Sequence, residues 1–222
     1  MFAAVTTTLF QPILFKSCGD SSGSVVSKNA ITNSNHRCIV LQNTNGVRVK
    51  DNVAYNTAGH CYSLQDGSET NNTFEGNLGA RTNAAKVVIG GESDNYPATF
   101  YITNPNNYFK GNIAAGSADS GYFFSLKKAV SGESAPLFPN YKPSVQPLGS
   151  FIDNVAHSNA AFGIKTGPSA GYTPTTMASL IDSRVFRNRG TGLFSQGGQH
   201  LIEQGGVFSD NRVAVSVKTM MM

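Results

Sequence analysis

Val49-Lys50-Asp51-Asn52-Val53-Ala54, Phe74-Glu75-Gly76-Asn77-Leu78-Gly79 and Phe109-Lys110-Gly111-Asn112-Ile113-Ala114 are three copies of one pattern, apolar-x-x-Asn-x-small. Two more are Val26-Ser27-Lys28-Asn29-Ala30-Ile31 and Phe151-Ile152-Asp153-Asn154-Val155-Ala156. Looser copies end in Asn188, after Val185-Phe186-Arg187, and in Asn211, after Phe208-Ser209-Asp210. The seven asparagines are 23, 25, 35, 42, 34 and 23 residues apart. A period of about 23–25 residues fits one coil of a β-solenoid, and the longer intervals fit a coil plus an inserted loop. Residues 131–149, rich in Pro, Gly and Ser, are the clearest insertion.

Sliding the chain along itself extends the repeat. A shift of 23 lays Arg37-Cys38-Ile39-Val40-Leu41-Gln42 over His60-Cys61-Tyr62-Ser63-Leu64-Gln65. Further shifts of 25, 35 and 42 stack Val87-Val88-Ile89 on Tyr62-Ser63-Leu64, then Gly121-Tyr122-Phe123-Phe124 on Lys86-Val87-Val88-Ile89, then Gly163-Ile164 on Gly121-Tyr122. Each coil thus carries an Asn at a turn and a short apolar strand about ten residues later. The turn asparagine tolerates left-handed backbone angles, and its amide can satisfy groups that the strand ladder leaves unpaired. The expected fold is all-β: a right-handed parallel β-helix spanning residues 1–222 as a single domain. About eight coils at ~4.8 Å each make a rod on the order of 40 Å long. A β-sandwich would require hairpin turns every 8–12 residues, and the sequence does not supply them.

Composition agrees. The chain has 23 Gly, 21 Asn and no Trp, with 14% charged and 40% hydrophobic residues, a mixture for short strands and turns rather than coiled coil or disorder. The net charge of +4 is scattered with no basic run, so nothing marks a nucleic-acid partner and an acidic polysaccharide suits it equally well. No apolar run reaches 18 residues, so no membrane-inserted helix is expected. The opening MFAAVTTTLFQPILFKSCGD reads either as a signal peptide or, better, as a strand-bearing segment of a longer protein. Three cysteines are too few for a disulfide scaffold. Cys38 and Cys61 stack in register, and parallel side-chain vectors favour buried thiols over a disulfide. One glycosylation sequon occurs, Asn71-Asn72-Thr73.

Several local motifs recur in a recognisable order: Cys18-Gly19-Asp20, Asn35-His36-Arg37-Cys38, Thr44-Asn45-Gly46-Val47, Asp51-Asn52-Val53-Ala54-Tyr55, Gly59-His60-Cys61 and Asp66-Gly67-Ser68-Glu69. Thr99-Phe100-Tyr101-Ile102-Thr103-Asn104-Pro105-Asn106-Asn107 and Ala114-Ala115-Gly116-Ser117 continue them. Over residues 10–165 the chain resembles the β-helix region of the cell-surface hyaluronidase and cell-migration-inducing hyaluronan-binding family, shared with fibrocystin-like and G8-domain proteins. That resemblance implies an extracellular or cell-surface protein with neighbouring domains, a hyaluronan-like polysaccharide as partner, and calcium as a possible cofactor of depolymerisation. The chain departs from the family pattern where histidines are usual: Leu14 and Lys16, Thr32-Asn33, and Gln42 stand there. The family's Leu-Glu-Asp-Gly reads Leu64-Gln65-Asp66-Gly67.

The candidate site is His60, Asp66 and Glu69 as catalytic groups, with Arg37 stacked beside His60. Asp66 leads because it is retained in the shared motif. A carboxylate can act as general acid or hold calcium, a histidine can move protons near neutral pH, and Arg37 can pair with a uronate. Asn104, Asn106 and Asn107 are candidate sugar-binding amides. The competing reading makes Asp66-Gly67 a turn, Arg37–Glu69 a structural ion pair, and 104–107 a turn-forming run. The two functions that follow are a polysaccharide-binding β-helix able to depolymerise its ligand, and a non-catalytic structural or adhesion segment of a large surface protein.

Overall fold

The computed structural model describes residues 11–87, 93–167, 171–197 and 201–218. They form a parallel β-solenoid of eight coils with three sheets. The first sheet stacks Ile13–Asp20, Ile39–Asn45, Tyr62–Leu64, Ala98–Ile102, Ser120–Phe124, Phe162–Thr166, Thr191–Gln196 and Val213–Lys218. The second runs from Val25–Ser27 to Leu201–Gln204, and the third from Ala30–Thr32 to Val207–Ser209, with seven strands each. No helix among the described residues is long and apolar enough to cross a membrane.

Inward-facing residues stacked strand on strand build the core, with two columns in the first sheet, the second running through Leu41, Leu64, Ile102 and Phe124. The second sheet contributes Val26, Val49, Phe74, Phe109, Phe151 and Leu180, each directly on the last. The first contributes Ile39, Tyr62, Phe100, Tyr122, Ile164 and Leu193. Opposite their aromatic stretch the third sheet narrows to Ala54, Gly79, Ala114 and Ala156. Large faces small across the triangular interior, so the volume per coil stays nearly constant. The rings of Tyr62, Phe100 and Tyr122 stack at 4.8 and 4.7 Å. Their phenols are satisfied at the far side: Tyr62 donates towards the Asn52 and Leu78 carbonyls, and Tyr122 to the Asn112 carbonyl.

The asparagine repeat resolves into several ladders. Asn29, Asn52, Asn77, Asn112 and Asn154 line the turn between second and third sheets, each bonded to the next by backbone N–H and by amide. The residue before each of Asn29, Asn52, Asn77, Asn112 and Asn154 is left-handed: Lys28, Asp51, Gly76, Gly111 and Asp153, with φ from 54° to 63°. Asn188 and Asn211 belong elsewhere. With Asn159 they form a ladder at the corner where the third sheet returns to the first. The interval of 34 between Asn154 and Asn188 therefore crosses from one ladder to another; the coil there is 29 residues, the separation of Asn159 from Asn188. The two motifs look alike because both are an apolar strand residue, a left-handed residue and an amide.

The strand shift at Val87-Val88-Ile89 is also corrected. Ala98–Ile102 takes that rung, pairing Phe100 with Tyr62 on one side and Tyr122 on the other. Val87 is exposed, and residues 88 and 89 lie outside the described residues. The stacking of Ile164 on Tyr122 holds.

Cys38 and Cys61 form a disulfide rather than two thiols, with Cα atoms 4.5 Å apart. Both precede their strands, Ile39–Asn45 and Tyr62–Leu64, and Arg37 just before is left-handed with φ 52°. At a corner the side chains need not point straight out in parallel, as they would within a ladder, and the Cα separation lies within disulfide reach.

Between Phe124 and Ser150 the chain leaves the solenoid and makes two short 3-10 turns, Gly132–Leu137 and Pro143–Val145. This segment is held against the third coil, where Ser131 donates its N–H to the Asp66 carbonyl.

Candidate functional site

The predicted residues divide between two buried clusters on the first sheet. In one, Arg37 and His60 meet Asp94, which comes from the segment between the third-sheet strand Leu78–Asn83 and the strand Ala98–Ile102. Arg37 Nε and Nη2 reach the two Asp94 oxygens at 3.2 and 2.8 Å. The His60 N–H donates to Asp94 Oδ1 at 3.0 Å, and Arg37 Nη1 also bonds Gln65 Oε1. Thus Arg37 is ion-paired with Asp94, not Glu69. Asp94 is held below the usual carboxylate range: Arg37 hydrogen bonds and charge outweigh the burial that alone would raise it.

His60 is fully buried. Its Nδ1 accepts the Ala98 N–H at 3.0 Å and its ring stacks on Tyr101 at 3.8 Å. Burial lowers its pKa to about 3, against the pull of Asp94. An imidazole so held stays neutral at physiological pH, which removes the charge change that proton shuttling requires. His36 is buried beside it, with Nε2 3.7 Å from Asp94 Oδ2, and burial also lowers its pKa.

The second cluster holds Asp66 and Glu69. Asp66 Oδ2 accepts the Ser134 hydroxyl at 2.5 Å, the Ser134 N–H at 3.2 Å and the Gln42 amide at 3.2 Å. Gly132 passes so near that a Cβ there would lie 2.5 Å from Asp66 Oδ1, in a left-handed conformation that suits glycine. Glu69 receives N–H groups from Asn43, Asp66 and Gly67 at 2.9, 3.1 and 2.8 Å, and the Thr103 hydroxyl at 3.3 Å. Burial raises its pKa while those N–H groups oppose the rise. The Glu69 carboxylate closes the turn, and Asp66 fastens the 125–149 segment.

The amides of residues 104–107 shape their own turn. Asn104 Oδ1 accepts the Asn106 N–H, and its amide donates to the Gly67 carbonyl and the Tyr141 hydroxyl. Asn107 joins Asn72 in a buried ladder and donates to the Glu69 carbonyl. Asn106 is half-buried.

Among the described residues no three His, Cys, Asp or Glu side chains come together to hold a metal ion. Asp66, the best calcium candidate, directs Oδ2 at three donors, so this donor set does not fit a calcium site.

Lys16, Gln42 and Gln65 stand side by side in one row across three coils, since Lys16 pairs with Gln42 and Leu41 with Leu64. Lys16 bonds Glu133 at 2.9 Å, Gln42 bonds Asp66, and Gln65 bonds Arg37. Three of the positions where the resemblance expects ionisable groups are gathered in this row, while Thr32-Asn33 stand apart at the end of the third-sheet strand Ala30–Thr32. Asp94 and Ser134 were not legible as partners because both lie in insertions outside the repeat. The surrounding Ser, Gly and Asp residues carried the only signal, and it reads as a loop.

The β-helix profile described as "CEMIP beta-helix" matches residues 8–164. The human cell surface hyaluronidase CEMIP2 is 31% identical over 92% of this chain. The zebrafish cell surface hyaluronidase is 31% identical over 79%, and the mouse cell migration-inducing and hyaluronan-binding protein 33% over 68%. The matches occupy only 19%, 15% and 12% of those proteins' lengths, so the chain spans under a fifth of each. Its coil architecture and the extent of the matched segment agree: the chain belongs to the CEMIP beta-helix family.

Proposed function

We propose that this β-helix binds a hyaluronan-type polysaccharide without cleaving it, as one part of a larger extracellular or cell-surface protein. The Lys16–Gln42–Gln65 row carries the reading. Three adjacent positions at which the family resemblance expects two histidines and a carboxylate here hold an ammonium and two amides, each already bonded within the chain. General acid–base cleavage of a glycosidic bond needs titratable groups that reach the substrate. Asp66 and Glu69 are instead buried and hydrogen-bonded within the chain, and His60 is neutral. The relatives' names support the polysaccharide, and the net charge of +4 suits an acidic one. The buried disulfide supports an oxidising compartment.

The test incubates the purified chain with high-molecular-mass hyaluronan, in calcium and in chelator, and measures both polymer size and retention on immobilised hyaluronan. Retention with unchanged polymer length is expected. Calcium-dependent shortening that is abolished by Asp66→Asn would overturn the non-catalytic reading, and absence of retention would overturn binding.

A further inference from the structure

A groove of about 210 Å³ opens at the corner where the third sheet returns to the first, lined by Asn33, Ser34, Asn35, Asn56, Ala58 and Asn83 among others. Every side chain lining it is uncharged. Within it runs a short amide chain: Asn83 Nδ2 donates to Asn56 Oδ1 at 3.1 Å, and Asn56 Nδ2 to Asn33 Oδ1 at 2.7 Å. Unlike the buried ladders, this one lies at the surface, with Asn33 exposed and Asn56 and Asn83 half-buried. Among the described residues, Asn33 Nδ2 makes no hydrogen bond and Asn83 Oδ1 receives none. Among the described residues the chain therefore ends in a donor and an acceptor without partners, each polarised by the bonds behind it.

One coil beyond Asn56, in the same column, stands Arg81. Tyr55 pairs with Thr32 and Ala80, so Asn33, Asn56 and Arg81 follow at equivalent positions. All three are left-handed, with φ of 55°, 54° and 57°, which sets them on the corner in the same way, and Arg81 is exposed. Their spacing is the strand spacing, about 4.8 Å, close to the advance per ring of an extended pyranose polymer.

We propose that this column is a saccharide subsite in which Asn33 and Asn56 bond the hydroxyl and acetamido groups of an N-acetylhexosamine while Arg81 pairs with the carboxylate of an adjoining uronate. A neutral amide groove suits the uncharged sugar, whose groups both donate and accept. A carboxylate desolvated there would lack a partner. The guanidinium at the next coil supplies one with fork geometry. The subsite rests on the polysaccharide reading above and names where, and in what order, such a ligand lies.

The test titrates the ¹⁵N-labelled chain with a hyaluronan octasaccharide and, separately, with tetra-N-acetylchitotetraose, which has the acetamido groups and no carboxylate. Both should move the side-chain amide signals of Asn33 and Asn56. Asn33→Gly and Asn56→Gly, which keep the left-handed backbone, should each weaken both ligands at least fivefold with unchanged melting temperature. Arg81→Gln should weaken only the octasaccharide. Signals that move elsewhere on the solenoid while Asn33 and Asn56 stay fixed would overturn the subsite and leave polysaccharide binding standing. Signals that move nowhere with either ligand would overturn both.

Discussion

Asp94 grips Arg37 through both carboxylate oxygens, at 3.2 and 2.8 Å, where neither side chain has any exposure to solvent. The pair joins the segment before Ala98 to the corner that carries the disulfide. Breaking a buried ion pair by removing one charge strands the other and costs about 3–5 kcal/mol. Asp94→Asn is expected to lose that much in urea unfolding and to open the chain around Asp94 to protease. Arg37→Met with Asp94→Asn should recover part of the loss, because no charge is then left unpaired. A single variant as stable as the parent would show that the pair is solvated.

Asn77 makes four ladder bonds in a site closed to solvent. Its amide donates to Val49 O and Asn112 Oδ1, and its Oδ1 accepts the Asn52 N–H and amide. Asn77→Ala leaves buried donors and acceptors unpaired, at about 1–3 kcal/mol for each group. A total loss of roughly 3–5 kcal/mol is expected. Asn33→Gly, on the exposed ladder and with the left-handed backbone retained, should cost under about 1 kcal/mol. Equal losses at the two sites, measured by denaturant midpoint, would contradict the distinction between buried and surface ladders.

The disulfide closes 23 residues between two consecutive coils. A loop of that size corresponds to roughly 3 kcal/mol of stabilisation. Cys38→Ala with Cys61→Ala should lower the melting temperature accordingly. Because both sulfurs are buried, reductant should act on the native chain only at the rate at which that corner opens. Immediate reduction under native conditions would refute the burial.

Glu203 stands where the second sheet's inner column would carry another apolar side chain, directly on Leu180. Burial raises its pKa from 4.5 to about 7. The folded chain therefore favours the protonated form. The penalty is absent below about pH 4.5, grows as the pH rises, and is complete above about 7. Glu203→Leu should stabilise the chain at pH 8, by on the order of 1 kcal/mol once partial solvent exposure is allowed for. The gain should shrink towards pH 5. A gain independent of pH would assign it to packing alone.

The inner columns were legible because a β-helix repeats the same demand at every coil. Tyr62, Tyr122 and Phe124, aligned by the sequence shifts as one apolar strand position after another, lie in the main core, while Phe123 between them packs with Ala98 and Tyr101 on the other face. The ladder from Asn29 to Asn154 emerged from spacing alone. What the repeat could not convey was how two similar corners differ, and so Asn188 and Asn211 were placed on the wrong turn. The rung before Ser120 was misread because Val87-Val88-Ile89 and Thr99-Phe100-Tyr101-Ile102 are both strand-forming, and the length of an insertion does not say which one returns to the sheet. The clusters around Arg37 and Asp66 were half visible: their repeat-borne members stood in register, while Asp94 and Ser134 arrive from insertions.

The segment between Phe124 and Ser150 leaves and rejoins the solenoid at a corner, and the strands on either side keep strict partners: Tyr122 on Ile164, Phe109 on Phe151. Sequence length and axial rise are thereby uncoupled. Consecutive ladder asparagines are separated by 23 residues in one place and by 42 in another, yet each step climbs one strand spacing. Interior and exterior of such a chain can diverge at separate rates: the stacked columns tolerate little, while a corner accepts new sequence of any length. Two proteins of this architecture can share every inward-facing position and present unrelated surfaces.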